Sequence, residues 1–384
     1  MKKHAFDEAA AVELLKRVVD IPSVNGESNE KPMADFIAGF LSNTPCRTEV
    51  NEFAPGRANV LSVLKGLNPG KALLINGHLD TVPYGCPEDW DTPPDKAMLM
   101  GGRLTGRGAS DMKSGLCAML YAFRLLAQEG FLPQHDIIFA GTADEESLGS
   151  GASALIENDF WPDVSAVVIG EPTGNQIAVA SKGALWLEVT LTGKTAHSAY
   201  PSEGINAAEI ACAWFSSFKE LAEQGEHPFL TPPTCTLTLI SGGIKANMIP
   251  GNCTFIVDIR TVPPACHPKL RAEADRLSQS FMERYPGLGI RHKVLTDRMP
   301  VETSPQDALV ERLRESIFSV CKNAPCLIGT GYFSDASLFL KKQTVPVVLF
   351  GPGDPRQAHK ANEWVLLDDY LDSIACYINF LKKY

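Results

Sequence analysis

The chain has no run approaching the roughly 18 consecutive apolar residues that a membrane-crossing helix needs, and its opening stretch is interrupted by Asp7, Glu8 and Glu13. Neither a membrane span nor a secretory leader is expected. Strong basic clusters are missing too: 35 lysines and arginines face 45 aspartates and glutamates for a net charge of −10, and the cationic run at Lys341-Lys342 is only two residues long. Nucleic acid is therefore not an expected partner. The ten cysteines include no C-x-x-C pair, which excludes a thiolate zinc knuckle and suits reduced thiols in the cytoplasm. No Gly-x-Ser-x-Gly elbow offers a serine nucleophile, and no cysteine carries a nucleophile signature. The glycine-rich Gly329-Thr330-Gly331-Tyr332-Phe333-Ser334-Asp335-Ala336 lacks the Lys-Ser/Thr ending of a P-loop and shows no clear strand-to-helix context, so nucleotide binding is not expected. Activated water is left as the attacking group.

What is present is a globular composition, 45% hydrophobic and 21% charged, in 384 residues, long enough for two or three domains. Up to Val168, helical-period segments alternate with apolar runs at 72–75, 136–140 and 166–169, each followed by a glycine-containing turn, which predicts a sheet covered by helices. The helix 114–128 is clearest: Leu116, Met119, Leu120, Phe123 and Leu126 make one apolar stripe, with Asp111 at its start. From 180 to 295 the order becomes strand 184–192, helix 206–223, strands 234–240 and 253–260, helix 269–283 and strand 290–295. That β-α-β-β-α-β order predicts a four-stranded sheet with helices on one face, an insert at 181–295 within a domain made of 1–180 and 296–384. Hinges are expected near Ala180 and Asp297. A helix at 307–321, a strand at 345–350 that rejoins the first sheet and a closing helix near 367–381 complete the reading.

Four of the expected strands run into metal-type ligands: Gly77-His78-Leu79-Asp80, Asp144-Glu145-Glu146, Gly170-Glu171-Pro172 and the loop with His359. Open α/β sheets bind ligands beyond the carboxyl ends of their strands, so these residues can meet on one rim, with Asp111 beside them. Each fragment alone is common in solvated loops; their recurrence at strand ends carries the inference. Two imidazoles and several carboxylates suit Zn²⁺, with Co²⁺ or Mn²⁺ as substitutes. If one carboxylate bridges two ions about 3.5–4 Å apart, the pair can polarise a carbonyl while another carboxylate moves protons, two tasks that Glu145 and Glu146 can divide.

These residues resemble the M20 metallopeptidases and deacylases. The likeness covers nearly the whole chain and rests on 77–83 (Gly-His-Leu-Asp-Thr-Val-Pro), 106–115 (Gly-Arg-Gly-Ala-Ser-Asp-Met-Lys-Ser-Gly), Asp144-Glu145-Glu146, Gly170-Glu171-Pro172-Thr173 and Ala358-His359. It implies a zinc-peptidase-like catalytic domain, a mixed sheet flanked by helices, with an inserted ferredoxin-like α+β lid and dimerisation domain. It implies two Zn²⁺ per subunit, one held by His78, Asp111 and Glu171 and the other by Asp111, Glu146 and His359. Asp111 would bridge them, Glu145 would be the general base and Asp80 would orient the His78 imidazole. In the insert, Gly193-Lys194-Thr195-Ala196-His197-Ser198-Ala199-Tyr200-Pro201 resembles the family segment whose histidine crosses a homodimer to stabilise an oxyanion, a role for His197. Arg260 would grip a substrate carboxylate, Asn247 would bind substrate, and Gly331 belongs to a loop lining the pocket.

The implied reaction is hydrolysis of the amide of an N-acyl amino acid, acetylornithine deacetylase-like. A di- or tripeptidase or a carboxypeptidase shares the same metals, and a short peptide would then be the substrate. A non-catalytic metal-binding or regulatory protein would have lost ligands or base; every one of them is present in the sequence.

Overall fold

The structure is a computed structural model that describes residues 4–26, 29–157 and 163–384; Met1, Lys2 and Lys3 of the opening stretch lie outside them. It divides into two compact units, Met1–Val179 with Glu302–Ile328 and Ser334–Tyr384, and Ala180–Val301 with Gly329–Phe333.

In the first unit the strands His135–Thr142, Asn68–His78, Val164–Ile169 and Val347–Leu349 lie side by side and parallel within a nine-stranded mixed sheet. Leu74 stands opposite Ile138 on one side and Val167 on the other, so the carboxyl ends of these strands share one rim. Near-complete burial explains why they read as unbroken apolar runs, as parallel strands covered on both faces do. Arg57–Leu64 and Arg47–Ala54 extend the sheet antiparallel at one edge.

The helix Lys113–Gln128 differs from the single apolar stripe expected of it: every residue from 113 to 123 is buried. Small side chains at Gly115, Cys117, Ala118 and Ala122 let neighbours close in on all sides. A Cβ added to Gly115 would stand 1.8 Å from the Gly170 carbonyl oxygen, so this helix lies backbone to backbone on the turn after Val164–Ile169. The helix also begins at Lys113, after Met112, which leaves Asp111 in the preceding loop. Helices Glu8–Val19 and Leu367–Lys383 pack with it. Tyr121 Oη donates to the Asp7 carbonyl at 3.0 Å and Tyr370 Oη to the Ala11 carbonyl at 2.9 Å.

The second unit is an antiparallel sheet ordered Thr234–Gly242, Asn252–Thr261, Gly183–Thr192, Gly289–Arg298. Strand alternation sends Leu185, Leu187, Val189 and Leu191 to one face, where Trp214 and Phe218 of helix Ala207–Ala222 meet Phe255, and helix His267–Arg284 completes the cover. The opposite face carries Trp186, Glu188, Asp258 and Arg260, all half-buried. Among the described residues no helix is long and apolar enough to cross a membrane.

Candidate metal centre

The shared rim gathers the first unit's ligand-type side chains. His78 ends Asn68–His78, Glu145 and Glu146 follow His135–Thr142, Glu171 follows Val164–Ile169, and Asp111 precedes helix Lys113–Gln128. Asp111 faces two histidines with different oxygens, Oδ1 at 3.2 Å from His78 Nε2 and Oδ2 at 3.5 Å from His359 Nε2. His359 Nε2 is also 3.0 Å from Glu146 Oε2. His359 has left-handed backbone (φ 62°), a conformation that a non-glycine residue adopts at some cost and that recurs at functional sites. Ligand atoms of His78, Asp111 and Glu146 lie within 4.8 Å of one another, and so do those of His78, Glu145 and Glu171. Glu145, expected only as a base, thus stands at the same range as the expected ligands.

The electrostatics are those of crowded carboxylates in a dry site. Burial first, then the charge of Glu171, pushes Glu145 well above the usual carboxylate range. Burial and Asp111 do the same to Glu171 and, less strongly, to Glu146. Burial would raise Asp111 as well, but hydrogen bonds from His359 and His78 outweigh it and the net shift is downward. His359 is pushed up to about 10 by its bonds to Asp111 and Glu146. The buried Oε1 atoms of Glu145 and Glu146 have no hydrogen-bond partner among the described residues. His78 Nδ1 donates to the Asp80 carbonyl at 2.9 Å, which turns Nε2 into the cup. Buried acids, orphaned oxygens and an imidazole held by its far nitrogen form an oxygen and nitrogen donor set suited to divalent cations.

Supporting contacts depart in part from the sequence reading. Asp80 orients His78 through its carbonyl; its carboxylate oxygen is 3.7 Å from Nδ1, beyond hydrogen-bond range. That carboxylate instead accepts the backbone N–H groups of Glu145 (3.1 Å) and Glu146 (3.2 Å) and the Asn25 amide (2.8 Å), so it fixes the turn that presents both glutamates. Asn25 also donates to Asp144, which accepts from Arg57 at 2.8 Å. Glu363, unnoticed in the sequence, is fully buried and accepts from the N–H groups of Gly108, Ser110 and Asp111 at 2.8–3.0 Å while pairing with Arg107. It sets the Asp111 loop, and a lone glutamate 252 positions away carries no local signal. Asp335 accepts from Thr142 Oγ1 at 2.7 Å, and its charge adds to the upward shift of Glu145.

The remaining candidates fall in the second unit. His197 and Asn247 are exposed and brought together by main-chain pairing: His197 bridges Met248, and Ser198 N–H donates to the Asn247 carbonyl at 3.0 Å. Arg260 forms a two-bonded fork with Asp258, both contacts 2.9 Å. Gly331 is exposed, and its segment lies between strand Leu327–Thr330 and helix Ala336–Lys342. This corrects the reading that it had no strand-to-helix context: four residues and one polar turn were too short to register as a strand.

A rim of parallel strand ends carrying imidazoles and buried carboxylates defines a metallohydrolase site, and the chain belongs to peptidase family M20/M25/M40, whose profile matches residues 74–383. It is a hydrolase of that family. Among relatives, it is 27% identical over 414 residues to the probable succinyl-diaminopimelate desuccinylase of Staphylococcus aureus strain N315, covering 98% of this chain and 99% of the other. To the succinyl-diaminopimelate desuccinylase of Wolbachia pipientis wMel it is 28% identical, covering 97% and 93%. Solved structures with this fold include the M20 family metallo-carboxypeptidase Sso-CP2 from Sulfolobus solfataricus, TM-score 0.77 at 21% identity over 98% of this chain and 99% of that one. Another is the YXEP protein of Bacillus subtilis, described as a dinuclear metal-binding peptidase of the M20 family, TM-score 0.75 at 15% identity over 98% of both chains.

Proposed function

We propose that this chain hydrolyses the amide bond of an N-acyl amino acid, using two divalent metal ions held at the strand-end rim. The observation that carries this is Asp111, whose two oxygens address His78 and His359 separately, at 3.2 and 3.5 Å. His78, Asp111 and Glu171 would hold one ion and Asp111, Glu146 and His359 the other, with Zn²⁺ the best fit to the donor types. Bound there, the ions supply Lewis-acid polarisation of the scissile carbonyl and acidify water.

Glu145 takes the water's proton and passes it to the departing amine; burial gives it the affinity for a proton that this exchange requires. Asp80 holds Glu145 and Glu146 by their backbone N–H groups, and Glu363 holds the Asp111 loop. His197 donates to the developing oxyanion from the other subunit of a homodimer joined through the second unit, Asn247 and Arg260 contact substrate, and the reaction runs in the cytoplasm. The desuccinylase names of the full-length relatives favour a succinyl over an acetyl group, with N-acetylornithine the next substrate to try.

The test is a panel of N-succinyl-diaminopimelate, N-acetylornithine and simple dipeptides with zinc-loaded protein. The highest kcat/KM on an acyl amino acid supports this function. Highest values on dipeptides move the chain to the peptidases, and metal binding with no turnover on any amide makes it a non-catalytic protein.

A further inference from the structure

Lys113 is the first residue of the helix that follows Asp111, and it is 2% exposed. Lysines are almost never this deeply buried unless something holds the ammonium. The stem lies against Gly108, where an added Cβ would stand 2.9 Å from Lys113 Cδ and 2.7 Å from Thr81 Cγ2. The Lys113 N–H donates to the Gly108 carbonyl at 2.8 Å, so main chain and stem both grip the loop that presents Asp111. The ammonium donates to the Ile21 carbonyl at 2.8 Å. Burial pulls this group down to about 8, and the carboxylates of Glu363, Asp20 and Asp80 oppose that.

Ile21 begins a segment, 21–25, that runs beside the residues following His78. Val24 bridges Thr81 in parallel, Thr81 N–H donates to the Ser23 carbonyl at 3.0 Å, and Asn25 N–H donates to the Thr81 carbonyl at 2.8 Å. At the end of the segment the Asn25 amide donates to Asp80 at 2.8 Å and to Asp144 at 3.0 Å. Asp80 in turn accepts the N–H groups of Glu145 and Glu146. A continuous run of hydrogen bonds therefore joins the helix start behind Asp111 to the turn that carries the two glutamates. We propose that Lys113 is a positioning residue of the metal centre: by holding Ile21 it sets segment 21–25 and, through Asn25 and Asp80, where Glu145 and Glu146 stand relative to Asp111. Outer contacts of this kind orient ligands without touching the ion. The role rests on the two-metal reading of the rim and not on which amide is cleaved.

The test compares full-length wild type with Lys113→Met, which keeps a stem and loses the ammonium, and Asn25→Ala, which cuts the same path at its other end. In cobalt-loaded protein the visible absorption bands report ligand geometry. Both variants should shift those bands, bind metal about 10–100-fold more weakly in a chelator competition, and lower kcat more than they raise KM. Because the two residues act along one path, the double variant should lose less affinity than the two single losses combined. Lys113→Gln, which keeps a donor without the charge, should lose less than Lys113→Met and takes its place if that variant does not fold. A lowered urea midpoint with unchanged bands, metal affinity and kcat would make the lysine a support of the fold alone and overturn the proposal. Fully additive losses would overturn the route through Asn25. Shifted bands and weakened metal binding in the variants, with no amide hydrolysed by wild type, would sink the proposed function and leave Lys113's role standing.

Discussion

Gly115→Ala and Gly39→Ala are the same chemical change in two helices, and the structure gives them opposite signs. Gly39, in helix Lys31–Leu41, has no atom within 4 Å of an added Cβ, so alanine gains helix propensity and loses unfolded-state entropy, stabilising by about 0.5–1 kcal/mol. At Gly115 the added Cβ would lie 1.8 Å from the Gly170 carbonyl oxygen and 2.8 Å from its carbon, where ordinary contact begins at 3.4 Å. The backbones must separate by 3.4 − 1.8 = 1.6 Å. Gly170 N–H is bonded to the Asn76 carbonyl at 2.9 Å, so the turn cannot yield without loosening the rim. Overpacking of this kind costs typically about 1–3 kcal/mol, more than the propensity gain. The displaced neighbours are Glu171 on one side and Asp111 on the other, and a misplacement of about 1 Å can cost roughly 10²-fold in rate. Urea unfolding and kcat/KM of both variants check this. Equal stability and activity of Gly115→Ala and wild type would refute the backbone contact, and a destabilised Gly39→Ala would refute the clearance at that site.

Glu145→Gln should keep its metal by elemental analysis and lose about 10²–10⁴-fold in kcat, the range for a lost general base. Glu363→Gln removes the charge facing Arg107 and one acceptor of the Asp111 loop, and should weaken metal binding about 10–100-fold in a competition titration with a chromogenic chelator. Burial alone would raise Asp144, but hydrogen bonds from Ser150, Asn25 and Arg57 hold its carboxyl below the usual range. It therefore stabilises the fold above its ordinary value near ~3.9, and that contribution is lost as pH falls through the lowered folded value. Asp144→Asn, which tolerates the left-handed backbone there (φ 68°), should be less stable at neutral pH and show a flatter acid-unfolding curve.

How much of this was legible in the sequence depends on the range of the contact concerned. The strand-end positions of His78, Glu145, Glu146 and Glu171 could be read because parallel strands buried on both faces announce themselves as apolar runs, and the residues just beyond are fixed to the rim. Alternation puts Asp258 beside Arg260, yet the sequence reading gave that arginine's fork to a substrate carboxylate, and in the structure two of its N–H groups are on Asp258. Glu363 was not legible, because its partners at 107–111 lie in a loop some 250 residues away and a buried glutamate has no period. Nor does composition tell a side chain from its own carbonyl: Asp80 holds His78 with the latter and frees its carboxylate for the next turn.

Elemental analysis of chelator-treated protein reconstituted with zinc tests the bridged site most directly. Wild type should bind about two ions per chain, and Asp111→Ala, having lost the residue that addresses both histidines, should lose both. A wild type that binds none, or an Asp111→Ala that keeps its full complement at unchanged affinity, would contradict it.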